Sequence, residues 1–254
     1  MARSTKPAPS RTPAARESAT KPVAKPIGPK RAAAIKPAAT TPTARTPAAP
    51  KAAARRTKST KLAAPSYRLP DLDEAKLDKA QRALLAAMRA GPRGAGLNLR
   101  GPFGVFMHAP AFGALAQELG AHCRFGTSVS PRLSEFAILV TARHWRAHYE
   151  WHVHAPIAQK AGVRPATIAD LKAGRAPARA AADEKAVYAF VTELYGKKRV
   201  SDRTYVRLHK LFGDAGMVEF MGILGYYALV AMTLDAFRVP VPEGAALPFA
   251  EPKI

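Results

Sequence analysis

Ser134 to Gly162 reads SEFAILVTARHWRAHYEWHVHAPIAQKAG, gathering two carboxylates, four histidines and both tryptophans of the chain between apolar runs. A helix from about residue 147 to 160 places Glu150 and His154 four apart and therefore on one face, about 6 Å along the axis. A carboxylate beside an imidazole can hold the ring in one tautomer, as acid or base catalysis requires. His148 and His152, each about 200° from Glu150 or His154, fall on the opposite side. Pro156 cannot donate to the His152 carbonyl, which predicts a kink or a restart. On one unbroken helix Glu135 and Glu150 would stand about 22 Å apart. A shared site therefore requires a chain break between about Arg143 and His148, where no glycine or proline marks one and His144-Trp145-Arg146 is the only hint.

Working outward, apolar residues recur at helical spacing and no strand-period run occurs, so the fold class is all-α. Ser130-Pro131 reads as N-cap and first residue of a helix reaching about Ala142, with Glu135 one turn inside. Before it, Pro110 opens a helix through Leu115, Leu119 and Cys123 to Gly126. Asp71 and Asp73 offer N-caps for an earlier helix carrying Leu77, Ala80, Leu84, Leu85 and Met88, stopped by Gly91-Pro92. The Gly- and Pro-rich segment from Gly96 to Pro110 reads as a loop that places Arg100, Phe103, Met107 and His108 near a site. After the central stretch, helices are expected from Val163 to Ala173, from Ala181 to Tyr195 with Gly196 as the stop, and from Ser201-Asp202 to Gly213. Ala215 to Phe237 is nearly apolar all round. Only 15 uncharged residues separate Glu219 from Asp235, short of the roughly 20 that span a bilayer, so this is a buried core helix and no membrane partner is expected.

The chain has 254 residues and a net charge of +22, room for one sizeable domain and an additional segment. The excess is uneven: residues 1–66 carry fifteen Lys and Arg against one acid, Glu17, with eleven prolines and no aromatic residue. Such a stretch cannot build a core, and it predicts a disordered Lys/Pro/Ala-rich basic tail. It suits loose, non-specific contact with nucleic acid or another polyanion through counterion release, or else a solubilising extension. It lacks the continuous apolar run of a secretory signal, and a cytoplasmic location is expected. The division is then 1–66 as tail, 67–245 as helical domain and 246–254 as a C-terminal tail. Cys123 is the sole cysteine, which excludes an intramolecular disulfide or a cysteine-based zinc site.

Glu135, Tyr149-Glu150-Trp151, His154, Ala158 and Ala161-Gly162 together resemble the carboxymuconolactone decarboxylase family, a branch of the alkylhydroperoxidase D-like fold. Gly101-Pro102-Phe103, His108-Ala109-Pro110, Tyr226-Tyr227 and Phe237-Arg238-Val239-Pro240 extend the resemblance over about residues 67–245. It implies an all-α, homo-oligomeric domain and cofactor-free decarboxylation, or a related proton transfer, on a small carboxylated lactone. The implied catalytic residues are Glu135, Glu150 and His154. Arg143 or Arg146 would hold a substrate carboxylate, with Phe103, His108 and Trp151 lining the site. The peroxidase branch carries a Cys-x-x-Cys pair; here its positions fall on Ala147 and Glu150, so thiol peroxidase chemistry lacks its nucleophile.

Two other classes compete. His144 and His148 could grip one metal ion, yet His144 and His152 stand about 12 Å apart along a helix, too far for all three to share it, so no metal site is expected. A helical oligomeric scaffold with a polyanion-binding tail is the remaining alternative, since the last helix has more apolar surface than one small domain buries.

Overall fold

The computed structural model describes residues 67–251, which form eight α-helices and no strand. The expectations for residues 1–66 lie outside the described residues.

At the centre is α4 (Pro131–Trp145), opened by the Ser130 hydroxyl accepting from the Leu133 amide and by Pro131 at the first helical position. Every residue from Leu133 to Ala142 is buried, so this helix is core on all sides. Around it pack α5 (His148–Lys160), α6 (Pro165–Lys172), α7 (Ala182–Lys197) and α8 (Asp202–Phe237). Phe136, Leu139, Trp151, Val187, Phe190, Phe220 and Ile223 form one continuous cluster. Each such side chain contributes about 1.5–3 kcal/mol on burial.

The chain breaks inside the required window. Arg146 adopts a left-handed conformation (φ 59°, ψ 30°), and the amides of Arg146 and Ala147 both donate to the Ala142 carbonyl, closing α4. A left-handed C-cap commonly uses glycine; here a non-glycine residue takes it, at a local cost of about 1–2 kcal/mol, and Ala147 next to it has no exposed surface. No restart occurs at Pro156, because α5 runs through it to Lys160. Pro156 and His152 are both exposed, so water can satisfy the carbonyl that loses its donor.

Upstream, α1 (Lys79–Ala90) starts later than expected. Asp73 caps only a short 3-10 turn, Glu74–Lys76, and Asp78 opens α1 through a reciprocal pair of hydrogen bonds with Gln81. The segment read as a loop contains a helical turn, α2 (Pro102–Phe106), entered at Gly101 with φ 67°. α3 (Pro110–Phe125) follows and packs on α1 and α8. Downstream, Gly196 does not stop α7; Lys198 ends it in a left-handed conformation. Gly213 (φ 62°) interrupts α8 where a stop was expected, and helix resumes beyond it.

By length and composition α8 could cross a bilayer, but it packs against α3, α4 and α7 as a core helix, with half of its most apolar stretch buried. Within the segment assigned to a C-terminal tail, Phe249 packs on the domain. Phe249 is buried against Trp151, with ring centres 5.1 Å apart, and under the Arg143 guanidinium at 5.0 Å.

Two glycines separate packing from backbone effects. A Cβ on Gly120 of α3 would lie 2.1 Å from the Tyr226 ring of α8, whereas one on Gly196 would meet nothing within 4 Å. Gly120→Ala is expected to cost about 1–3 kcal/mol through overpacking, and Gly196→Ala to gain about 0.5–1 kcal/mol through helix propensity. Urea unfolding of both variants would check the opposite signs.

Candidate active site

The turn at Arg146 folds α5 back along α4 and brings residues far apart in sequence together. Glu135 and His154, both buried, meet with Glu135 Oε2 2.7 Å from His154 Nδ1. The partner of His154 is therefore Glu135 on the neighbouring helix, and not Glu150 one turn away as the spacing suggested. With Nδ1 engaged, Nε2 is the ring nitrogen left to exchange a proton. The ring stands edge-on to Tyr227, centres 5.0 Å apart.

Glu150 is in a different state. It is 2 % exposed, and neither carboxylate oxygen has a hydrogen-bond partner. Burial holds its carboxyl well above the usual carboxylate range, with the charges of Asp235 and Glu135 adding to the shift. Such surroundings favour the neutral carboxylic acid over an ionised carboxylate that has no partner.

Glu150 and His154 form part of the wall of a cavity of about 110 Å³ together with Phe103, Tyr149, Val153, Tyr226 and Tyr227. Three arginines, Arg93, Arg100 and Arg124, line it as well. The Arg93 guanidinium lies over the Phe103 ring at 4.9 Å, its Nη1 donates to the Gln117 carbonyl, and its buried Nε has no partner. Burial pushes the Tyr226 hydroxyl up to about 12, against the opposing charges of Arg93 and Arg124, and pushes Tyr227 higher still. Both hydroxyls are thus donors at neutral pH. The arrangement offers a protonated acid, an oriented imidazole and guanidinium groups suited to a carboxylate.

Of the expected substrate-binding residues only Phe103 lies here. Arg143 lines a separate cleft of about 290 Å³ between α4, α6 and α7, with its Nε donating to the Lys172 carbonyl. Arg146 does not line the cavity, its buried Nε having no partner, and Trp151 packs on Phe249. His108 lines an apolar hollow with Phe112 and Phe237. Arg143, Arg146 and Trp151 were placed by proximity to the motif and His108 by the loop read from Gly96 to Pro110; none of the four lines this cavity. Sequence reading did not assign Arg93, Arg124, Tyr149, Tyr226 or Tyr227 to the site. Tyr226-Tyr227 and Tyr149, within recognised motifs, were the available signals.

Residues 110–193 match the model of the carboxymuconolactone decarboxylase family. Over these residues the chain is similar to that family. The matched stretch runs from α3 through most of α7 and contains Arg124, Glu135, Tyr149, Glu150 and His154, while Arg93, Arg100, Phe103 and the tyrosine pair come from outside it. No curated protein matches the chain. Cys123 is buried and its thiol is pushed up by burial, the reverse of what a peroxidatic thiolate needs. Among the described residues no three His, Cys, Asp or Glu side chains are grouped to hold a metal ion. His144 packs on Tyr195, His148 on Phe249, and His152 is exposed.

The state of Glu150 has a pH signature. Its folded-state value lies above the unfolded one, so the unfolded chain releases this proton first and stability declines as pH rises from the ordinary carboxylate range toward the raised folded value. Glu150→Gln removes that dependence. The difference in Tm, variant minus wild type, is expected to grow between pH 5 and pH 8 in calorimetry; a constant difference would show Glu150 ionised in the fold.

Proposed function

We propose that this domain is a lyase that removes carbon dioxide, without a cofactor, from a small carboxylated substrate such as a lactone acid. The observation that carries the reading is Glu150, a buried carboxyl with two unpartnered oxygens in a cavity wall. Breaking the bond between the substrate carbon and its carboxylate releases carbon dioxide and leaves the electron pair on that carbon as a carbanion or dienolate. Glu150 delivers the proton to carbon and becomes the carboxylate. His154, held at Nδ1 by Glu135, returns a proton from solvent to Glu150 through its remaining nitrogen. Arg93 and Arg124 supply the carboxylate contacts first expected of Arg143 and Arg146. In this scheme Glu150, and not the imidazole, carries the proton to carbon.

Carbon dioxide release from a panel of lactone acids and carboxylated ring-cleavage products tests this directly. Glu150→Gln and His154→Ala are each expected to lower kcat at least about 100-fold, the usual scale for losing a positioned proton donor, with the fold retained. Unchanged turnover in Glu150→Gln would overturn the assignment.

Self-association is part of the same proposal. Phe112, Leu115 and Leu119 on α3 and Val218, Met221 and Met232 on α8 are exposed, Leu115 by 70 % and Val218 by 74 %, on two helices that pack together. Apolar residues in this number on adjoining helices suit a second copy of the chain. Leu115→Glu and Val218→Glu are expected to shift sedimentation toward monomer, with each costing no more than about 0.5 kcal/mol in the folded subunit.

A further inference from the structure

The cavity holding Glu150 and His154 is small for its task. Its 110 Å³ falls below the roughly 150 Å³ that an enclosed benzene occupies, and well below the range of about 300–1,000 Å³ typical of ligand sites. A second cavity of about 260 Å³ adjoins it, and Arg100, Gly101's neighbour in sequence, and Tyr149 line both. Tyr149 forms the shared wall. Its ring lies directly on Gly101, where a Cβ would come within 2.5 Å of Cε1, and Gly101 has a positive φ. The backbone there is shaped to seat the ring. Beyond Tyr149 the outer cavity is walled by Leu99 and the Val239–Pro242 segment, with Asp71 and Glu243 as its acids.

Charge therefore changes along the combined space. The inner end has Arg93 and Arg124 and a neutral Glu150; the outer end has two acids, and Arg100 stands where the two meet. A carboxylate is favoured at the inner end and disfavoured at the outer one.

We propose that the two cavities form one substrate site, taking an elongated monocarboxylic acid whose uncharged or cationic tail passes Tyr149 into the outer slot. This rests on the proposed function for the position of the carboxylate, and it makes Tyr149 the residue that sets substrate length. A compact lactone bearing several carboxylates would leave the outer slot empty or set an anion against Asp71 and Glu243.

Titration calorimetry of the full chain with butanoate, octanoate, octanedioate and 8-aminooctanoate tests the proposal without turnover. Octanoate and 8-aminooctanoate are expected to bind at least tenfold more tightly than butanoate, and octanedioate at least tenfold more weakly than octanoate. Val241→Trp, which fills the slot, should remove the gain with length and leave butanoate within twofold. Arg124→Gln should weaken the monoacids alike, which separates binding here from adsorption on exposed apolar surface. Equal affinities for butanoate and octanoate, or octanedioate binding as well as octanoate, would overturn the proposal even if the chain releases carbon dioxide from small lactones. The predicted series without any carbon dioxide release would leave the two-part site standing and overturn the lyase reading alone.

Discussion

One carbonyl governs the geometry of this domain. The Ala142 oxygen receives the amides of both Arg146 and Ala147, and that double contact turns the chain from α4 into α5 within two residues. Without the turn, Glu135 and His154 would sit about 28 Å apart on a continuous helix; with it they share a hydrogen bond. The local cost of a left-handed arginine is about 1–2 kcal/mol, small beside the burial of Trp151 and Ala158 against α4 that the reversal permits.

The two glutamates on this hairpin show how placement divides the work of identical side chains. Glu135 has a ring nitrogen within hydrogen-bond distance, whereas neither oxygen of Glu150 has a partner. Burial alone does not distinguish them, since both are nearly inaccessible. The distinction lies in what each oxygen can reach, which is why one acts as an orienting group and the other as a store for a proton. Glu184 offers a third case: buried as deeply, it accepts from Arg132 and the Ala181 amide, and its role is to join α7 to the start of α4.

The all-α class was legible because apolar spacing of three and four persists through most of the domain, and Ser130-Pro131, Pro110 and Gly126 mark helix ends by well-understood capping chemistry. The break between Arg143 and His148 could be required from distance, and it falls at Arg146, within the run His144-Trp145-Arg146 that was its only hint, with no glycine or proline to mark it. Glu135, Glu150 and His154 were readable as a group; the pairing within the group was not, because it depends on how far α5 rotates against α4. The arginines show the same limit more strongly. Arg143 and Arg146 are near the motif in the chain and do not line the cavity, while Arg124 reaches it from α3 and Arg93 from the segment following α1. Tertiary packing decides such contacts, and no period along one helix encodes them.

Phe249 seals the outer side of the hairpin by packing on Trp151 and Arg143, which gives the domain an order of completion during its synthesis. About a hundred residues separate the hairpin from its cover, so at ribosomal rates of about 5–20 residues per second the tryptophan waits roughly 5–20 s for its partner. The burial of Trp151 against Phe249 is therefore completed only when a phenylalanine encoded far downstream emerges.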